Sequence, residues 1–173
     1  MSIYKEQRVG LLVDISNLYY SAKVLYKKRV NFESILKEAV GDRKLIRAIA
    51  YGITTEENFE GKFMDSMEKI GFDLKTKDLQ IFPGGAKKGD WDVGIAVDAI
   101  KLSKNLDVIV LASGDGDFIP LVQYLQGTTG CRVEGIAFKE SSSAKLMETL
   151  DGFIDLSSNK KKFLIGNVSV RRK

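Results

Sequence analysis

Histidine is absent from all 173 residues. That removes Ser/His/Asp and Cys/His triads, histidine-liganded zinc and any imidazole general base in one step. Cysteine occurs once, at Cys131, so neither an internal disulfide nor a cysteine-rich zinc site can form, and a lone cysteine beside a strand-like run reads as a buried structural thiol. No run of about 18 apolar residues occurs. The N-terminus, Met1-Ser2-Ile3-Tyr4-Lys5-Glu6-Gln7-Arg8, has no apolar signal region, so a cytoplasmic location with no membrane partner is expected. Chemistry in such a chain must rest on carboxylates, lysines or a metal.

What is present is a chain 44% hydrophobic, enough for one sizeable core and one domain. Apolar runs of strand length alternate with stretches of helical periodicity, the pattern of repeated β-α units around a parallel sheet. Strands are expected at residues 9–14, 44–51, 79–82, 108–112, 132–137 and 153–156. Helical stripes are Leu18, Ala22 and Leu25; Phe32, Ile35, Leu36 and Ala39; Phe59, Phe63, Met67 and Ile70; Val93, Ala96, Val97 and Ile100; and Phe118, Leu121, Val122 and Leu125. All five read as core. Residues 83–89, rich in glycine and carrying Lys87 and Lys88, read as a mobile loop. Residues 157–173 hold Lys160-Lys161-Lys162 and Arg171-Arg172-Lys173 with no acid. They form a basic extension beyond a domain spanning 1–156, either a strand or hairpin with charged ends or a frayed tail.

Acids cluster where such a fold puts its ligand crevice, outside the carboxyl ends of strands. Asp14 ends Leu11-Leu12-Val13-Asp14, and Ser113-Gly114-Asp115-Gly116-Asp117-Phe118 follows the run Val108-Ile109-Val110-Leu111-Ala112. Clustered carboxylates repel, and a divalent cation such as Mg²⁺ or Mn²⁺ relieves that repulsion with an all-oxygen ligand set. Asp14 reads equally as a helix N-cap. Gly116 permits a sharp turn between Asp115 and Asp117, one of which also reads as a cap. In Lys88-Gly89-Asp90-Trp91-Asp92-Val93, Asp92 reads as a first-turn acid, while Asp98 sits in a mainly apolar helix where an unpaired carboxylate would be costly if buried.

Three other signatures fail. Gly84 to Gly89 has P-loop glycine spacing, but Asp90-Trp91 stands where Lys-Ser or Lys-Thr is needed. The twelfth position from Asp115 is Gln126, which cannot close an EF-hand. Asp14-Ile15-Ser16 lacks the second aspartate of a phospho-aspartyl phosphatase.

Taken together, Leu12-Val13-Asp14-Ile15-Ser16-Asn17-Leu18, the segment from Lys88 through Asp92 to Asp98, and Leu111-Ala112-Ser113-Gly114-Asp115-Gly116-Asp117-Phe118 resemble the NYN domain family, closest to the LabA-like branch of the PIN-like nucleases. The likeness spans residues 9–138. It implies a three-layer α/β/α sandwich, Rossmann-like, with a mainly parallel central sheet, and divalent-metal-dependent hydrolysis of RNA. By position, Asp14 matches the first-strand acid, Asp92 and Asp98 the acids of the middle helix, and Asp115 and Asp117 the acidic hinge. Asn17 matches the asparagine that accompanies the first acid, and Ser113 the small hydroxyl residue before the hinge. Asp90-Trp91 departs from the family, where one apolar residue often separates the glycine from the acid, and this points Trp91 toward a base.

The expectation is a ribonuclease in which Asp14, Asp92 and Asp115, helped by Asp98 or Asp117, hold one or two Mg²⁺ or Mn²⁺ ions. Metal ligands are then Asp14, Asp92, Asp115 and Asp117, and substrate contacts are Asn17, Ser113, Lys87 and Lys88, with Lys139 a further phosphate contact. Tyr19, Tyr20 and Trp91 are candidates for stacking unpaired bases of single-stranded RNA, with core packing the rival role for at least one tyrosine. The alternatives are a catalytically weak module of this fold that binds RNA or a protein, and a small phosphomonoesterase. Homo-oligomerisation stays open.

Overall fold

A computed structural model describes residues 5–54, 61–85 and 87–168, with the backbone alone at Lys87 and Lys88. Ten strands are described: β1 (Arg8–Asp14), β2 (Lys28–Val30), β3 (Lys44–Ile53), β4 (Asp73–Lys77), β5 (Gln80–Ile81), β6 (Lys87–Lys88), β7 (Val108–Ala112), β8 (Arg132–Ala137), β9 (Gly152–Asp155) and β10 (Leu164–Asn167). Between them lie α1 (Ile15–Tyr26), α2 (Phe32–Val40), α3 (Gly61–Ile70), α4 (Asp92–Ser103), α5 (Ile119–Tyr124), α6 (Ala144–Thr149) and α7 (Lys160–Phe163).

Six strands form one sheet in the order β4-β3-β1-β7-β8-β9, and every neighbouring pair is parallel. The chain steps outward from β1 through β3 to β4, returns to lay β7 against β1, then steps outward the other way. The order therefore reverses between β1 and β7, and the crevice of such a sheet opens above that reversal.

Side-chain alternation along each strand divides the interior into two layers. Val9, Leu11 and Val13 of β1, with Val108, Val110 and Ala112 of β7, pack against α1, α2 and Met67 of α3. Leu12, Ile109 and Leu111 face Ile95 and Ala99 of α4 and Leu121 and Val122 of α5. Strands buried on both faces explain why β1 and β7 read as continuous apolar runs. The expected α/β/α sandwich is the observed fold.

Three expectations about elements are corrected, and one is narrowed. The strand at 79–82 is no sheet member: β5 and β6 pair antiparallel as a separate ribbon, and the sheet edge is β4, Asp73-Leu74-Lys75-Thr76-Lys77. Its charges, usual on an edge strand, hide its periodicity. Of residues 83–89, expected as a mobile loop, 83–85 form a turn, with Gly84 and Gly85 at φ of 94° and 86°, and Lys87–Lys88 are the second strand of that ribbon; Ala86 lies outside the described residues. On α4, Val93 is 76% exposed while Ile95 and Ala99 are buried, so the core stripe is not Val93, Val97 and Ile100. This helix is apolar nearly all round, and packing against the sheet, not periodicity, chooses the face. Residues 164–167 do form a strand, but β10 pairs antiparallel with β2, a distant segment; Phe163 and Leu164 are buried in the main core. Phe59 and residues 169–173 lie outside the described residues.

Candidate functional site

Asp14 is the last residue of β1 and the N-cap of α1, its carboxylate accepting from the Asn17 backbone N–H at 3.3 Å. Ser113, next after β7, donates its hydroxyl to the other Asp14 oxygen at 3.3 Å and accepts from the Asp115 N–H at 3.2 Å. The Asn17 side-chain oxygen accepts from the Gly114 N–H at 3.0 Å. These bonds lace the end of β1 to the hinge after β7, directly above the order reversal. Asp115 caps a 3₁₀ turn over Gly116–Phe118 by accepting from the Asp117 N–H at 2.9 Å. The cap of Asp115 uses one oxygen and leaves the other for a ligand, whereas at Asp14 the cap and the Ser113 bond engage both oxygens, each of which keeps a lone pair.

The glycine that the hinge requires is Gly114. A Cβ there would lie 2.9 Å from the Ser142 Cα and collide with its hydroxyl, and the Gly114 carbonyl accepts from the Ser143 N–H at 2.9 Å. Gly116, expected as the conformational hinge, has no positive φ. The serines after β8 therefore brace the acidic loop, a contact that sequence pattern alone did not signal.

Asp92 enters from α4, its N–H bonded to the exposed Asp90 carboxylate at 3.1 Å. Asp92, Asp115 and Asp117 each offer a carboxylate oxygen, and these three oxygens lie within 4.8 Å of one another. Desolvation pushes the Asp92 carboxyl up to about 6, with repulsion from Asp90, Asp115 and Asp117 adding to it and Lys77 opposing. Asp14 lies deeper. Its carboxyl is also pushed up to about 6, first by burial and then by the charges of Asp92 and Asp115, against the bonds from Asn17 and Ser113. Among the described residues, none of these four acids forms an ion pair. An all-carboxylate oxygen set, crowded and without a neutralising side chain, fits a hard divalent cation such as Mg²⁺ or Mn²⁺.

Asp98 does not join them. Its carboxylate accepts from the Lys75 ammonium at 2.7 Å and the Tyr51 hydroxyl at 2.8 Å. Burial raises its pKa, and the two donors more than offset that, leaving it below the usual carboxylate range. The partner Lys75 comes from β4, the strand that the pattern missed. Trp91 likewise faces protein: its indole N–H donates to the Gly52 carbonyl at 2.9 Å, its ring centre lies 5.3 Å from that of Tyr51, and the Lys77 ammonium lies over the ring at 4.7 Å from its centre. Tyr19 is buried and Tyr20 is exposed. Lys139 is exposed just past β8. Cys131 is buried as expected, and desolvation pushes its thiol up to about 11.

The chain is similar to known proteins over most of its length. LabA of Synechococcus elongatus, described as a low amplitude and bright protein, is 24% identical over 169 residues, covering 89% of this chain and 86% of LabA. A crystal structure of a Vibrio parahaemolyticus protein of unknown function superposes with a TM-score of 0.84 at 28% identity, covering 95% of this chain and all of that one. The family model for the NYN domain matches residues 8–157, which takes in Asp14 at the end of β1, Asp92 of α4 and the acidic hinge after β7. The chain belongs to the NYN domain family, within the PIN-like nuclease superfamily.

Proposed function

We propose that this protein is a metal-dependent ribonuclease whose Mg²⁺ or Mn²⁺ is held by Asp92, Asp115 and Asp117, with Asp14 behind them. The observation that carries the reading is the meeting of three carboxylate oxygens within 4.8 Å beside a half-buried fourth acid at the reversal of strand order. A bound divalent ion would supply Lewis acidity, lowering the pKa of water and neutralising charge on the scissile phosphate. The chain's own groups do the rest. Asp115 is fixed by its cap and Asp14 by its cap and the Ser113 hydroxyl, so both carboxylates are held in position before substrate arrives. Ser113 and Asn17 tie the two strand ends together and keep the acids at constant separation. With no histidine in the chain, a proton leaving the nucleophile has carboxylates as its nearby side-chain acceptors, and Asp14, behind the three that would hold the ion, is placed for that role. Asp98, engaged by Lys75 and Tyr51, serves as a brace between α4, β3 and β4.

The test is cleavage of single-stranded RNA with Mn²⁺, with EDTA, and with Asp115→Asn. Loss of a single metal ligand should lower kcat by about 10²-fold or more, comparable to removing one electrostatic stabiliser from a transition state. Cleavage that persists in EDTA, or is unchanged in the variant, rejects the reading. Binding of RNA with no turnover in Mn²⁺ would return the chain to the alternative, a module of nuclease fold that binds RNA.

A further inference from the structure

The catalytic cleft is acidic, so it repels the polyanion that it is proposed to cut. Affinity must come from elsewhere. Lys27, Lys28 and Arg29 at β2 and Lys160, Lys161 and Lys162 of α7 are exposed, and the segments 27–30 and 157–168 contain no acid. Those six cations exceed the net charge of +4 of the whole chain, which leaves the remainder net acidic. The fold gathers them: β10, directly after α7, pairs with β2, the Asn31 N–H donates to the Phe163 carbonyl at 2.8 Å, and the Val168 N–H donates to the Lys27 carbonyl at 3.1 Å. Among the described residues, only Lys162 of the six meets a carboxylate, that of Glu38. Lys28 bonds the Asn167 amide, and Lys160 lies 4.6 Å from the centre of the Tyr26 ring.

The ribbon stands on the same side of the sheet as the acids. Tyr26, the residue before Lys27, packs 5.7 Å from Phe138 and donates to Glu140 at 2.6 Å, both just past the carboxyl end of β8. The 12 residues of α1 separate Asp14 from this patch by about 18 Å. Lys27 itself has a φ of 56°, the one left-handed non-glycine among the described residues. Glycine takes that conformation at no steric cost, yet a lysine occupies it.

We infer that the β2–β10 ribbon with α7 is a second nucleic-acid site, binding the phosphate backbone of single-stranded RNA about five nucleotides from the bond held at the acids. This rests on the ribonuclease reading for its substrate class, but its test separates the two. The measurement is fluorescence anisotropy of labelled single-stranded RNA of about 12 and about 4 nucleotides, in EDTA to stop cleavage, across about 50 to about 200 mM salt. The variant is Lys28→Ser/Arg29→Ser/Lys160→Ser/Lys161→Ser, and the control is Lys62→Ser/Lys69→Ser on α3. The quadruple variant should bind the longer strand about 10-fold or more weakly, and its slope of log affinity against log salt should be shallower by up to about 3. The strand of about 4 nucleotides offers about 3 phosphates, so it should bind the wild type more weakly, with a shallower slope, and lose less in the variant; the control should change little. Should the quadruple variant fold poorly by thermal melt, acetylation footprinting of the wild type decides instead: RNA protects Lys28, Lys160 and Lys161 but not Lys62 or Lys69. Unchanged affinity and slope, equal protection everywhere, or binding only to phosphatidylserine vesicles overturns the inference. RNA bound through the ribbon by a protein that never cleaves it overturns the ribonuclease reading and leaves the ribbon standing.

Discussion

At the residue scale, the site trades stability for concentrated charge. The Asp14 carboxyl is held at about 6, above its ordinary 3.8, so its effect on folding has a definite sign. Below about pH 4 it is protonated folded and unfolded, and costs nothing. As pH rises toward and through about 6 the unfolded chain sheds a proton that the folded chain retains, and stability is lost. Asp14→Asn keeps an N-cap of equal quality. In EDTA it should be more stable than wild type by about 2 kcal/mol near pH 8, with the gap closing toward pH 4, as measured by urea unfolding. Mn²⁺ should narrow the gap near pH 8 by stabilising the wild type more than the variant, which lacks the charge of Asp14 behind the ion. An opposite arrangement sits at the far end of the sheet, where burial raises Glu134 but the guanidiniums of Arg43 and Arg132 more than offset it. The contrast marks which buried acid is structural. Asp14, Asp115 and Asp117 were legible in sequence because they exit apolar runs at glycine or helix boundaries. The fate of Asp98 was not, because its partner Lys75 lies 23 residues away on a strand whose pattern is masked by charge.

At the element scale, long buried strands and helix stripes announced themselves, while short pieces defined by their partners did not. β2 and β10 hold only 3 and 4 residues, and each exists because the other supplies its hydrogen bonds. Nothing local distinguishes Lys28-Arg29-Val30 from a loop. The C-terminal segment is nonetheless part of the core: Phe163 is 2% exposed and packs in the layer that holds α1 and α2. Phe163→Ala should cost about 3–5 kcal/mol, the usual range for deleting a buried aromatic ring, read as a lowered denaturant midpoint at unchanged slope. A freely frayed tail would leave the midpoint where it is. The acidic hinge shows the same dependence on a distant partner, since Gly114 is demanded by Ser142, a residue in another loop.

At the scale of the whole molecule, strand order is what converts three separate sequence motifs into one place. β1 and β7 are adjacent in the sheet although 92 residues of chain lie between Asp14 and Asp107, the residue before β7, and the helices that follow them begin at the acids. The expected parallel α/β architecture was readable because alternation of strand and helix leaves few topologies open. The position of the basic ribbon was not, because it depends on a pairing between the start and the end of the chain. That pairing gives the molecule an electrical head and tail, with negative charge over the strand reversal and positive charge at the other end of α1. On the proposed reading, an approaching RNA would feel a torque as well as an attraction, and would be captured by its far end before its reactive bond is presented. Ionic strength should therefore govern capture and leave the chemical step alone: kcat/KM on long RNA should fall steeply between about 50 and about 200 mM salt while kcat stays within about 2-fold.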